Sequence, residues 1–363
     1  MNDEMIEVWN NTIHQKELNN FNKAVAERNI MEGPVLTEFE KCVKDLLKVD
    51  FVIGTSSGSA ALTLALMGIG IMPGDEVIVP DLTFVATANA ACILGADVVV
   101  APVKENYTLL DEDAVDDFIT EKTKAIITVD LNGRISNSAR LREKFAEKGI
   151  YIIDDACQSF MSCSADQKMA GTDADISCYS FGISKTVTTV MGGLIATNKK
   201  ELYEKMKIMK TQGMTSIFEG DEYKYPGFNF KLPDVLAAIG MGQLERLDKK
   251  MHHMCKINQM YRQELAGAEG IDFLPRKWGE HPWMTDILCE DKDKVRKILT
   301  ENGISCRPLG APLHTAYYLK SKGEYVTSDR MRESILYLPS GPDQSVENVE
   351  KVIKVLKCND LVK

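Results

Sequence analysis

Between about residue 50 and residue 200 the chain repeats one unit: a short continuous apolar run, a turn, and a stretch with amphipathic helical spacing. The apolar runs are residues 77–80, 98–103, 125–129, 151–153, 178–181 and 194–197, and residues 138–148 form one of the helical stretches between them. A strand that is apolar on both faces must be covered on both faces. The alternation therefore dictates an α/β fold with a mostly parallel sheet between layers of helices. In such sheets, sites form at the carboxyl ends of strands, so those ends are where chemistry should be sought.

At 363 residues the chain exceeds one compact core. Past the alternating region, residues 233–250 read as one long helix with Pro233 near its start. A helix over 251–265, a strand over 285–289, a helix over 292–302 and a closing helix over 345–356 follow. The expectation is a large domain over 1–248 and a smaller C-terminal α+β domain over 249–363.

A net charge of −10 argues against a nucleic-acid or anionic-membrane surface. The apolar runs are too short to span a bilayer, and the acidic opening residues lack the pattern of a secretory leader. Nine cysteines lie scattered without a Cys-x-x-Cys pair or histidines at ligand spacing. Reduced thiols in the cytoplasm are expected, with no metal site.

Two strand ends stand out. Ile152-Ile153 delivers Asp154 and Asp155, followed by Ala156-Cys157-Gln158. Thirty residues beyond Asp155, the run Tyr179-Ser180-Phe181 is followed by Lys185 and then Gly192-Gly193. A lysine and a carboxylate so placed suit pyridoxal phosphate (PLP). The amine joins the cofactor aldehyde, and the carboxylate keeps the pyridine nitrogen protonated so that the ring draws electrons. Taken singly, each has a plainer reading: a solvated surface lysine, or an aspartate capping the next helix. Ser57-Gly58-Ser59, ahead of a helix over 60–67, makes either an anion cradle or a serine-capped turn. It is no Walker loop, since no Gly-Lys-Ser/Thr follows. Phe84, after the strand near 77–79, either stacks on a flat heterocycle or fills core.

Several ordered motifs carry a resemblance: Ser57-Gly58-Ser59-Ala60-Ala61-Leu62, Pro73-Gly74-Asp75-Glu76-Val77, Thr83-Phe84-Val85-Ala86-Thr87, Asp155-Ala156-Cys157-Gln158, Ser180-Phe181 with Lys185, and Gly192-Gly193. Together they resemble the DegT/DnrJ/EryC1/StrS family of PLP-dependent sugar aminotransferases, over nearly the whole chain. The resemblance implies fold type I: a large domain with a mostly parallel seven-stranded sheet, plus the smaller domain. It makes Lys185 the cofactor-linked lysine, Asp155 the pyridine-nitrogen partner, Gln158 the neighbour of the phenolic oxygen and Phe84 the stacking ring. Gly58, Ser59 and Ser180 become phosphate ligands. Asn229, in Gly227-Phe228-Asn229-Phe230-Lys231, would reach the neighbouring subunit's PLP, which implies a homodimer.

Two positions depart from the family pattern. Lys231 stands where arginine is usual, and its point charge does not reproduce the guanidinium fork. Asp130-Leu131-Asn132-Gly133 stands where relatives carry histidine, an aliphatic, an aromatic and glycine. Asp130, Asn132, Lys231 and His314 are expected on the substrate side. The activity implied is transfer of glutamate's amino group, through pyridoxamine phosphate, to a keto-sugar. A nucleotide-linked 3- or 4-keto-deoxy sugar for a surface glycan is the leading substrate; a sugar without a nucleotide remains open. Related sugar dehydratases replace the lysine with histidine, so Lys185 opposes that reading. Intact Lys185, Asp155 and Gln158 oppose a non-catalytic regulator. A nicotinamide enzyme would need a Gly-x-Gly-x-x-Gly turn that is missing.

Overall fold

The elements in chain order begin with α1 (Gln15–Ala26), α2 (Pro34–Leu47), β1 (Phe51–Thr55), α3 (Gly58–Ile69), β2 (Glu76–Pro80), α4 (Ala86–Cys92) and β3 (Asp97–Ala101). Next come β4 (Thr123–Val129), α5 (Ser138–Phe145), β5 (Tyr151–Asp155), β6 (Ile176–Ser180), β7 (Gly193–Thr197) and α6 (Lys200–Met209). The chain continues with α7 (Asp234–Leu244), α8 (Leu247–Glu264), β8 (Ile271–Asp272), β9 (Thr285–Cys289) and α9 (Lys292–Glu301). It closes with β10 (Arg307–Pro308), α10 (Val326–Ser334), β11 (Ile335–Leu338) and α11 (Val346–Cys358). This computed structural model describes residues 5–215, 222–319, 321 and 323–358. Residues 1–4, on which the no-leader expectation partly rests, lie outside the described residues.

The large sheet has seven strands in the order β1-β7-β6-β5-β4-β2-β3. All run parallel except β7, which is antiparallel to both β1 and β6. Each of the six apolar runs forms a strand, with ends shifted by a few residues at most. β1 is additional: Gly54 breaks its apolar run, and the segment reads locally as part of the turn that follows. Side chains alternate across the sheet. Val77, Val79, Ile127 and Ile153 pack under α3 and α4, while Ile78, Ile126 and Ile152 pack against Leu141 and Phe145 of α5. α3 is apolar nearly all round because it is buried nearly all round. Ser57 Oγ caps it by accepting from the Ala60 N–H, and Gly70 ends it in the left-handed region at φ 79°.

A single helix over 233–250 does not form. α7 ends at Leu244, and Arg246 adopts φ −104°, ψ 6° before α8 starts. That turn aims the Arg246 guanidinium at the buried Glu17 carboxylate, at 3.1 Å from Nε and 2.8 Å from Nη2. A long-range ion pair thus breaks the helix where no glycine or proline marks it. α8 then continues through the separate helix expected over 251–265.

The smaller sheet, in the order β10-β11-β9-β8, is antiparallel throughout. Its core joins Ile257 and Tyr261 of α8 to Leu299, Leu336, Val349 and Leu356. Ile6 belongs to the same core and bridges to Ile304, and Trp9 bridges to Ser340. The chain's first described segment therefore packs on the C-terminal sheet before α1 crosses to α7.

One buried ion cluster ties the two sheets together. Arg134, just past β4 and 0% exposed, donates through Nη1 to Asp286 of β9 at 2.6 Å. Arg276 lies 3.4 Å from the other Asp286 oxygen. Burial opposes ionisation of Asp286, but the charges of Arg134 and Arg276 hold its carboxyl well below the usual range. Asp286→Asn leaves both guanidiniums short of a buried counter-charge, and should cost about 3–5 kcal/mol of stability by urea unfolding at neutral pH. A depressed carboxylate pKa contributes above its unfolded value and is lost as pH falls through the folded one. The gap between variant and wild type should accordingly narrow in acid.

Candidate active site

Asp154 and Asp155 end β5 on opposite faces of the sheet, since they are consecutive in a strand. On one face, Asp155 Oδ2 accepts from Thr87 Oγ1 of α4 at 2.7 Å, and its Oδ1 accepts from the Cys157 N–H at 3.2 Å. On the other, Asp154 Oδ2 accepts from Ser138 Oγ of α5 at 2.7 Å. Burial, opposed by that hydrogen bond and reinforced by the charge of Asp155, pushes the Asp154 carboxyl up to about 7.

Lys185 lies in the turn after β6, its N–H donating to the Gly182 carbonyl at 3.0 Å. Its Nζ sits 4.4 Å from the centroid of the Trp283 ring. Burial lowers the pKa of this amine, with Arg307 adding to the effect and Cys157 and Asp155 opposing it. An amine so depressed sheds its proton more readily, as nucleophile and base chemistry demand.

The anion cradle is built by close approach. A Cβ on Gly58 would lie 2.8 Å from Cys157 Sγ and 2.9 Å from Ser180 Cβ, while one on Gly193 would meet the Ser57 carbonyl at 2.3 Å. Only glycine at both positions lets β6, β7 and the first turn of α3 close up. The amides of Gly58 and Ser59 precede the first intrahelical bond, Ala61 N–H to Ser57 O. They form the positive end of α3. Ser59 is exposed and Ser180 half-buried.

A cleft of about 430 Å³ opens beside these groups, lined by Phe84, Leu131, Gln158, Trp283, Arg307 and Tyr337, among others. Phe84 is 59% exposed, which rules out the core alternative. Gln158 Oε1 accepts from the Asn132 N–H at 2.9 Å. Gly58 backs onto Cys157, whose thiol acts electrostatically on the Lys185 amine, and that amine lies over the Trp283 ring at the cleft. An amine, a carboxylate, a positive helix end and an open aromatic face thus adjoin one another, and this set fits PLP.

Three expected substrate residues point elsewhere. Asp130 is 0% exposed, accepting from the Ser136 N–H at 2.7 Å and from Ser159 Oγ at 2.9 Å. Asn132 sits at φ 55°, and its side-chain oxygen accepts from the Met284 N–H at 2.7 Å. Both brace the turn after β4, leaving Leu131 to face the cleft. His314 is held 2.8 Å from Asp81 Oδ2 and stacks on Tyr325 at 4.8 Å. Its ring clamps the loop ahead of α10. Asn229 is exposed, with its side-chain oxygen accepting from the Lys231 N–H at 3.4 Å, and neither residue lines the cleft. Thr87 stood in a quoted motif without a role. Trp283 and Arg307 come from the C-terminal half, where no spacing pattern marks them.

The model of the DegT/DnrJ/EryC1/StrS aminotransferase family matches residues 11–357. This chain belongs to that family. It is 31% identical over 336 residues to GDP-perosamine synthase of Vibrio cholerae, covering 90% of each chain. It is 35% identical over 292 residues to GDP-perosamine synthase of Caulobacter vibrioides, covering 78% of each. The aminotransferase TlmJ of Streptoalloteichus hindustanus has the same fold, with a TM-score of 0.93 at 26% identity over 98% of each chain. The protein is therefore a PLP-dependent sugar aminotransferase of fold type I. Among its described residues no helix is long and apolar enough to cross a membrane, and no group of three or more His, Cys, Asp or Glu side chains could hold a metal ion.

The two adjacent aspartates should separate function from stability. Asp155→Asn should lower turnover by about 10²-fold or more, whereas Asp154→Asn should retain it. A carboxyl raised to about 7 by folding contributes most below its unfolded value and loses that contribution as pH rises through 7. Asp154→Asn should thus melt above wild type at alkaline pH, by a margin that shrinks in mild acid.

Proposed function

We propose that this enzyme moves the amino group of glutamate to a nucleotide-linked keto-deoxy sugar, as a homodimer in the cytoplasm. The observation that carries the chemistry is the half-buried Lys185 amine over the Trp283 ring, acted on by the hydrogen-bonded Asp155 carboxylate. The nucleotide carrier rests on relatives whose name includes GDP. The described cysteines are free thiols, as suits a reducing compartment.

When bound, PLP supplies an electron-withdrawing ring that labilises the proton on the amine-bearing carbon. Asp155 would hold the proton of the ring nitrogen, kept in place by Thr87 Oγ1 and the Cys157 N–H. The first turn of α3 with Ser180 would take the phosphate, and Phe84 would cover one ring face. Lys185 Nζ would accept the proton of the substrate's amine-bearing carbon and return it two atoms further along, beyond the nitrogen. Arg307 gives the cleft a cation for a carboxylate or a diphosphate. The Trp283 ring, 4.4 Å from Nζ, shields that amine from water on one side. Asn229, exposed on one chain, would complete the partner subunit's site.

Borohydride reduction of the loaded enzyme should fix the cofactor mass on the Lys185 peptide, and Lys185→Ala should lose turnover; retained turnover would refute the assignment. Mixing Lys185→Ala with an impaired Asn229 variant under subunit exchange should restore partial activity, because one site per heterodimer is then unmutated. A fully active monomer would overturn the shared site. The pyridoxamine-loaded form should turn over nucleotide-linked keto-sugars faster than the same free sugars.

A further inference from the structure

The backbone that carries Lys185 is held in an unusual way. Three successive carbonyls in its turn each accept from a side chain of a different segment. Ser184 O accepts from Trp283 Nε1 at 2.7 Å, Lys185 O from Asn11 Nδ2 at 2.6 Å, and Thr186 O from Lys250 Nζ at 3.1 Å. The last two donors are themselves joined, since Lys250 Nζ also donates to Asn11 Oδ1 at 2.9 Å.

Lys250 is 2% exposed, on α8, and its third acceptor is Gln243 Oε1. All three acceptors are neutral. The charged groups that act on it are Arg246 just ahead of its helix, Asp343 ahead of α11 and Glu17 of α1. Burial first, then the Arg246 charge, bring its pKa down to about 8. A buried ammonium without a contacting carboxylate is costly, and here all of its donors go to groups that grip the Lys185 turn.

We propose that Lys250 and Asn11 are positioning residues for Lys185. They lock its backbone to α8 and to the N-terminal segment, so that Trp283, fixed by Ser184 O, and the Lys185 amine keep their mutual geometry. This rests on the reading of Lys185 as the catalytic amine. Trp283, buried against Leu82, Leu131 and Trp9, fixes the Ser184 carbonyl, and Asn11 and Lys250 fix the two carbonyls that follow. Without Lys250, the Thr186 carbonyl and the Asn11 amide lose their common partner, and the turn loosens at the residue that matters.

The test uses full-length protein in two states. In the apoprotein, acylation by acetic anhydride across pH, read on the Lys185 peptide by mass spectrometry, reports the accessibility and basicity of the amine. Lys250→Met and Asn11→Ala should each move the midpoint of Lys185 modification up, toward that of an exposed lysine. In the PLP-loaded enzyme each should lower kcat with glutamate by about tenfold to a hundredfold, leaving KM nearly unchanged. The double variant should be no worse than the worse single, because both changes cut one chain of contacts. Variants that only melt earlier, with the Lys185 midpoint and kcat unchanged, would overturn the proposal, as would fully multiplicative losses in the double variant. Should Lys250→Met fail to fold, Asn11→Ala, which removes a half-buried amide, decides the matter alone. Lys185→Ala run alongside separates the two failures, since its retained turnover would sink the underlying assignment instead.

Discussion

The site depends on how closely β6, β7 and the start of α3 approach one another. β7 runs antiparallel between β1 and β6, and its first residue, Gly193, passes against Ser57 and Gly58. Any side chain at Gly193 would strike backbone, which cannot swing aside as a flexible side-chain end can. Because this contact closes, the positive end of α3 faces Ser180 and Cys157, and the turn that follows β6 brings Lys185 beside the end of β5. The anion-binding end, the amine and the carboxylate owe their proximity to two missing Cβ atoms.

Around that contact the protein buries charge unevenly. Asp155 receives two hydrogen bonds on the cleft face, whereas Asp154 and Asp130 are crowded on the far side, where burial first and neighbouring carboxylates second favour their neutral forms. Between the sheets the imbalance is reversed: Arg134 and Arg276 share Asp286. Buried ions of this kind add little net stability when paired, yet each is costly once its partner is lost, so they specify one arrangement of the sheets.

The parallel sheet was legible because continuous apolar runs have one use, and the nearness of Lys185 to Asp155 because one residue ends such a run and the other follows the next strand's end. β1 was not, since Gly54 interrupts it, and the two-residue strands β8 and β10 are too short to leave a pattern. The break at Arg246 answers to Glu17, in a helix more than two hundred residues earlier. The resemblance set Asp130 and Asn132 at the right strand end, but which way a side chain leaves a turn depends on local dihedrals. Asn132, in the left-handed region, turns toward Met284, and Leu131 inherits the cleft. Trp283, Arg307, Asn11 and Lys250 meet the site only through tertiary packing, which no periodicity encodes.

The bridges of Ile6 to Ile304 and of Trp9 to Ser340 carry a consequence for biosynthesis. An early segment here pairs with segments far later in the chain, so it is made well before its partners. The parallel sheet can assemble during translation, but Asn11 can settle against the Lys185 turn only once the small sheet has emerged. Until then Ile6 has no core to enter, and the Lys185 turn lacks its clasp. Closure around the Lys185 turn therefore waits on the small sheet, however early the large one forms.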